Sequence, residues 1–114
     1  MGLSDREVEI VAQVARYHRK GVPKPEHPEF ASLSASDQHV VRSLAGILRV
    51  AIGLDRTYDG RVKSVSVKIS ASELSIIAKS RGKKADIGLN LYAANERKGL
   101  LADVSKRKVK FSEA

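Results

Sequence analysis

The sequence predicts an α+β fold: two long helices and a short one, followed by a small ββαβ unit with an antiparallel hairpin. Three observations carry this. From Ser34 to Thr57 apolar residues recur at spacings of three and four, the helical period. From Val62 to Lys79 apolar and polar residues alternate, interrupted at Ala71-Ser72, which is the strand period with a reversal in it. Between them and the N-terminus, Val22 to Pro28 holds three prolines, a stiff connection that cannot continue a helix. Residues 1–58 read as the helical portion and residues 59–114 as the ββαβ portion.

The first helix is opened by Ser4-Asp5-Arg6-Glu7, a capping-box pattern with Ser at the N-cap and Glu three residues on. It carries Val8, Val11, Ala12, Ala15 and His18 on one face and Ile10, Val14 and Tyr17 on a neighbouring stripe. It ends near Lys20-Gly21, where glycine suits a left-handed cap. In the loop that follows, Phe30 and Leu33 are the residues expected to dock onto the helices. The long helix is capped by Ser34, with Asp37 in its first turn. Val40, Val41, Leu44, Ile47, Leu48, Ala51 and Leu54 are expected to form its buried face, widened by Ala45, Val50 and Ile52. At about 1.5 Å per residue it spans roughly 30 Å. It is expected to fray after Arg56, where Asp59-Gly60 signals a turn.

Val65, Val67 and Ile69 alternate with Ser64, Ser66 and Lys68, a half-buried strand, and Leu74, Ile76 and Ala78 mark its antiparallel partner. Ser80 to Lys84 is a basic loop. Residues from Ile87 to Val104 fit a single helix with Asp86 as its cap, weakened by Gly88 and Gly99, although Ile87, Leu89 and Leu91 also alternate like a strand. Lys108 to Phe111 closes the unit as a short third strand.

Composition bounds the partners. The 114 residues are 42% hydrophobic and only 4% aromatic, so the core is aliphatic and global disorder is excluded. No apolar run reaches the ~18 residues of a membrane helix. The N-terminus is acidic where a secretion signal needs an apolar run, and there is no cysteine, which together fit the cytoplasm. The net charge is +8, from 21 Lys and Arg against 13 Asp and Glu. That favours polyanionic partners over any fold in particular. The alternative is a solvated basic surface with no specific ligand.

The densest polar cluster is Arg16-Tyr17-His18-Arg19-Lys20, followed by Lys24. Cations at a helix C-terminus can serve an anion site, or can simply complement the helix dipole. His18, His27 and His39 match no compact metal-ligand spacing. Asp55 reads as a cap or an ion-pair partner. Arg81-Gly82-Lys83-Lys84 lacks the glycine spacing of a phosphate loop, and no nucleophile-elbow pattern is present.

Three stretches carry a resemblance: RYHRKGVPKPEHPEF (Arg16 to Phe30), LAGILRVAIGLDRT (Leu44 to Thr57) and NERKGLLADV (Asn95 to Val104). In this order they resemble the C-terminal, HD-type helical region of the exopolyphosphatase / guanosine pentaphosphate phosphohydrolase family. The resemblance implies that phosphohydrolysis belongs to an upstream actin-like domain not contained in these residues. Any divalent metal such as magnesium would belong to that domain, and this chain is expected to carry no cofactor. HD enzymes commonly place Ala-Asp on the long helix as a metal-ligand position. The matching residues here are Ala51-Ile52, and isoleucine cannot bind a metal. No catalytic residues are assigned.

The expected role is therefore non-catalytic: binding or positioning polyphosphate, or another phosphate polyanion, and supporting the catalytic domain. Arg16, His18, Arg19, Lys20, Lys24 and Arg56 are the residues expected to neutralise phosphate oxygens. A dimerisation and packing module with an incidental basic face is the rival reading, and a homodimer is expected because both long helices show apolar residues on more than one side. Nucleic acid ranks below polyphosphate, because aromatics for base stacking are scarce. No membrane partner is expected.

Overall fold

The structure, a computed structural model, describes residues 2–19, 21–82 and 86–114. Helix α1 (Asp5–Tyr17) opens with the full capping box. The Ser4 hydroxyl accepts from the Glu7 N–H at 3.1 Å, and Glu7 Oε1 accepts from the Ser4 N–H at 2.9 Å. The helix stops at Tyr17, short of Lys20, because its last carbonyls are taken by side chains. Arg49 Nη1 donates to the carbonyls of Tyr17 (3.0 Å) and Gly21 (2.5 Å), and Arg97 Nη2 donates to that of His18 (2.7 Å). Gly21 then takes φ +59°, the left-handed conformation that glycine adopts without steric cost.

A short helix, α2 (Pro28–Ala31), begins with proline at its first position, where the missing N–H costs nothing. Phe30 is buried and Leu33 partly so, both packed with Tyr17. Helix α3 (Ala35–Leu54) is capped by Ser34, whose Oγ accepts from the Asp37 N–H at 3.1 Å. Asp37 is itself buried and takes a two-pronged contact from Arg6 (Nη2–Oδ1 2.6 Å, Nε–Oδ2 2.9 Å), fastening α1 to α3. The helix ends at Leu54, two residues before Arg56. There Asn90 Nδ2 takes the Leu54 carbonyl at 2.9 Å, Asp55 is the C-cap residue, and Tyr58 turns the chain with φ +57°.

The faces differ from the sequence reading. On α1 the packed side is Ile10, Gln13, Val14 and Tyr17, while Val8 and Val11 are exposed. On α3 the packed side is Val41, Ala45, Val50 and Leu54 together with Gly46 and Gly53, while Val40, Leu44, Ile47 and Leu48 are exposed. Close approach selects these sides: a Cβ on Gly46 would lie 3.0 Å from Leu101 N, and one on Gly53 only 2.6 Å from Ala94 Cα.

The hairpin of β1 (Val62–Ile69) and β2 (Glu73–Ser80) is antiparallel, with Val65 opposite Ala78 and Val67 opposite Ile76. The expected single helix over 87–104 is two, α4 (Gly88–Glu96) and α5 (Gly99–Ser105). The break at Arg97-Lys98 lets α4 lie on Gly53 and α5 on Gly46 of the same helix, and frees Arg97 to reach back to α1. Asp86 does act at the start, its Oδ1 accepting from the Gly88 N–H at 2.8 Å. Strand β3 (Lys108–Glu113) then pairs parallel with β2, giving the order β1-β2-β3.

Leu74, Ile76, Ala78 and Val109 form one side of a core shared with Val50 and Leu54 of α3, Ala94 of α4 and Leu101 of α5. A second core joins Tyr17, Phe30, Val41, Ala45 and Leu100. Helices α3 and α5 contribute to both. Strand β1 lies outside this cover: Val65, Val67 and Ile69 share the inner face, yet are 49–65% exposed, not half-buried as their alternation predicts. No helix among the described residues is long and apolar enough to cross a membrane.

Candidate functional site

The C-terminal ends of α1 and α3 converge with Arg97, just past α4, around an open cleft of about 550 Å³. His18, Arg19, Ile52, Gly53, Arg56, Tyr58 and Arg97 line it. Among the described residues, three guanidinium groups and one imidazole thus meet in a lining that contains no carboxylate. The local fold explains the gathering. Helix C-termini carry the negative end of the dipole, and basic side chains collect on their free carbonyls.

These cations are not equivalent. Arg97 is committed to the scaffold, with Nε donating to the Arg49 carbonyl at 3.0 Å and Nη2 to the His18 carbonyl at 2.7 Å. Arg49 lies behind it, bound to the carbonyls of Tyr17 and Gly21. Burial, and secondly the nearby Arg97, pull the Arg49 guanidinium below its ordinary range. Like charges are therefore held close together here. Arg19 and Arg56 are exposed at the mouth of the cleft, with no ion-pair partner among the described residues. His18 sits at the end of α1 with its Nδ1 on the Ala15 carbonyl.

Of the six residues singled out from the sequence, three come together: His18, Arg19 and Arg56. Arg16 points elsewhere. Its guanidinium lies 5.0 Å from the Tyr17 ring centroid and 3.4 Å from Glu29 Oε2. Lys24 is exposed in the proline loop and does not line the cleft. Lys20 lies outside the described residues. Arg97 and Tyr58 complete the lining and were missed. The signal for Arg97 was its place two residues before Gly99, one of the two glycines that weaken a helix from Ile87 to Val104.

The other histidines serve different ends. His27 stacks on Tyr17, its Nδ1 sharing a 2.6 Å hydrogen bond with the tyrosine hydroxyl, while burial pushes the Tyr17 phenol up. His39 is exposed on α3. Among the described residues no three His, Asp or Glu side chains gather as metal ligands. Ile52, at the position where the resemblance would place a metal ligand, offers only aliphatic carbon to the cleft. The residues here do not fit a resident divalent metal.

A mixed α+β domain with a cationic cleft between helix ends is equipped to hold anions: guanidinium donors at its mouth supply charge-assisted hydrogen bonds. The family model for Ppx/GppA phosphatase, domain III, matches residues 1–93. The chain belongs to the Ppx/GppA phosphatase family, as the C-terminal domain of its exopolyphosphatase-like members. No curated protein matches the chain.

Proposed function

We propose that this domain binds and positions polyphosphate, or a chemically similar phosphate polyanion, for a catalytic domain elsewhere in the protein, and takes no part in bond cleavage itself. The observation that supports this is the convergence of His18, Arg19, Arg56 and Arg97 on one cleft. Arg97 and the helix-end carbonyls it holds set the cleft wall. Arg19 and Arg56 meet the phosphate oxygens, each guanidinium offering a planar fork of donors. His18 lines the wall beside them. The magnesium that phosphohydrolysis implies belongs with the catalytic domain, and a cytoplasmic location belongs to the same reading.

The test is competition. Labelled polyphosphate is bound to the purified chain at several salt concentrations, then challenged with single- and double-stranded nucleic acid. Polyphosphate affinity should fall as salt rises, since the contacts are screened over about 8–10 Å. At matched charge, nucleic acid should compete poorly, because its phosphates are spaced by sugars and set farther apart than those of polyphosphate, although Tyr58 in the lining offers one aromatic face to a base. Equal competition by duplex DNA would overturn the assignment.

A further inference from the structure

An apolar groove of about 440 Å³ runs between α3 and β1. Ile47 and Ala51 of α3 form one wall, and Val65, Val67 and Ile69 of β1 form the other. We propose that this groove and the β1 edge beside it take an extended peptide segment of another protein. The peptide adds to the sheet antiparallel to β1, sets alternate apolar side chains into the groove, and carries an acidic residue at its N-terminal end. This reading is independent of the anion cleft, which is lined by other residues.

Strand β1 has a neighbour on one side only, β2. The Ser70 N–H donates to the Glu73 carbonyl at 2.9 Å. With the β1–β2 register, this puts Ser64, Ser66 and Lys68 in the hydrogen-bonded pairs with β2. Antiparallel ladders alternate, so the N–H and C=O groups of Val65, Val67 and Ile69 point to the free edge. Natural edges are usually blunted by a bulge, a proline or an inward-facing charge. Here the one register shift lies at Val62/Ser64, at the end of the strand. The run from Ser64 to Ile69 has no proline, and its only charge, Lys68, is on the face away from the groove. Strand addition needs such an edge: main-chain hydrogen bonds supply affinity, and pockets for alternate side chains supply specificity.

The register decides which peptide fits. Residues directly opposite in an antiparallel pair share a face. Peptide residues opposite Ile69, Val67 and Val65 therefore enter the groove, and those between them face solvent. Val65, Val67 and Ile69, with Leu44, Ile47 and Leu48 of α3, are 37–65% exposed, an apolar surface at the upper end of what a monomer carries. Charge distinguishes the two ends of the groove. At the C-terminal end of β1, Arg107 donates through Nε to the Ser70 carbonyl at 2.7 Å and through Nη1 to the Ser105 carbonyl at 3.1 Å. Arg107 lines the groove and has no ion-pair partner among the described residues. An acid two places before the first groove residue of an antiparallel peptide falls at this end, and guanidinium–carboxylate contacts are among the stronger hydrogen bonds. The fitting segment is thus an acidic residue followed by apolar residues at every second position.

The test is fluorescence anisotropy of a labelled, end-capped peptide, Glu-Ser-Val-Ser-Val-Ser-Val, titrated with the full chain. The peptide should bind. Methylating the amide nitrogen of its central valine, which pairs with Val67, should weaken binding about tenfold, whereas methylating that of a neighbouring serine, which points away from β1, should not. Replacing the glutamate by glutamine should cost several-fold against wild type and nothing against Arg107→Gln. Val67→Pro removes an N–H that β2 does not use, and edge strands tolerate proline. It should lower affinity about tenfold or more with the circular-dichroism spectrum unchanged. The methylated peptides leave the protein untouched, so they decide the matter even where a variant unfolds. Absence of binding at high micromolar concentration, equal effects of the two methyl groups, or equal binding of a shuffled peptide with its valines consecutive overturns the proposal. An isotherm that turns down as the chain concentration rises shows a second copy on the edge and overturns it as well.

Discussion

Gly53→Ala tests whether α3 and α4 meet backbone to backbone. An added Cβ would lie 2.6 Å from Ala94 Cα, 2.7 Å from Ala94 N and 2.9 Å from the Ala93 carbonyl carbon. The closest of these is 0.8 Å inside the 3.4 Å at which ordinary contact begins. Because the obstacle is backbone, no rotamer change relieves it, and α4 must move. Overpacking of this kind typically costs about 1–3 kcal/mol. Alanine in place of glycine returns about 1 kcal/mol of helix propensity. The net expectation is a loss of up to about 2 kcal/mol. Gly46→Ala meets Leu101 N at 3.0 Å and Leu101 Cα at 3.1 Å, so its cost and its gain should nearly cancel. Gly99→Ala meets nothing within 4 Å and should gain a few tenths of a kcal/mol or more. Urea unfolding of the three variants should therefore rank them Gly99→Ala, Gly46→Ala, Gly53→Ala from highest midpoint to lowest, at constant m-value. A Gly53→Ala variant as stable as Gly99→Ala would refute the close packing of α3 on α4. Since Gly53 also lines the cationic cleft, its variant should disturb the proposed polyanion binding as well.

Three shorter predictions follow from other parts of the molecule. Hydrogen bonding to Arg6 holds the Asp37 carboxyl below its ordinary range. The folded state thus favours the charged form, so its contribution is complete above an unfolded value of about 3.9 and is lost as pH falls through the lower folded value. Asp37→Asn should flatten the acid limb of stability against pH, and an unchanged limb would count against the Arg6–Asp37 bond. Lys106 closes α5 at φ +53°, a conformation that costs a non-glycine residue about 1–2 kcal/mol. After the extra freedom of an unfolded glycine is subtracted, Lys106→Gly should raise stability by about 0.5–1 kcal/mol, and a lower unfolding midpoint would contradict this. Finally, the purified chain with magnesium or manganese should release no phosphate above blank from polyphosphate or guanosine pentaphosphate, and metal-dependent turnover abolished by Asp55→Ala would show a catalytic role.

Helix starts were readable from the sequence because caps are local. Ser4 with Glu7, and Ser34 with Asp37, make the hydrogen bonds that their spacing predicts. Helix ends were less so, because α1 and α3 are stopped by Arg49, Arg97 and Asn90 from distant parts of the chain. Periodicity identified α3 as a helix but misjudged which side is covered. Leu44, Ile47, Leu48 and Ala51 are as apolar as the buried stripe, and the glycines that admit α4 and α5 carry no hydrophobic signal. Alternation likewise identified β1, whereas its exposure depends on how far the helix layer extends. The cleft was half legible. His18, Arg19 and Arg56 flank helix ends that the sequence marks. Arg97 is remote in sequence and joins them only because the 87–104 segment bends, and Arg16 is diverted by Glu29, thirteen residues on.

The central claim is that a specific cleft, not net charge, holds the polyanion. Polyphosphate affinity should be measured for two charge-matched double variants, Arg19→Glu with Arg56→Glu, and Lys106→Glu with Lys108→Glu. Both lower the net charge equally, but only the first touches the cleft. The cleft pair should lose about tenfold or more in affinity, the scale of one charge-assisted hydrogen bond, and the control pair markedly less. Equal losses in the two would contradict the account and leave only attraction to a basic protein.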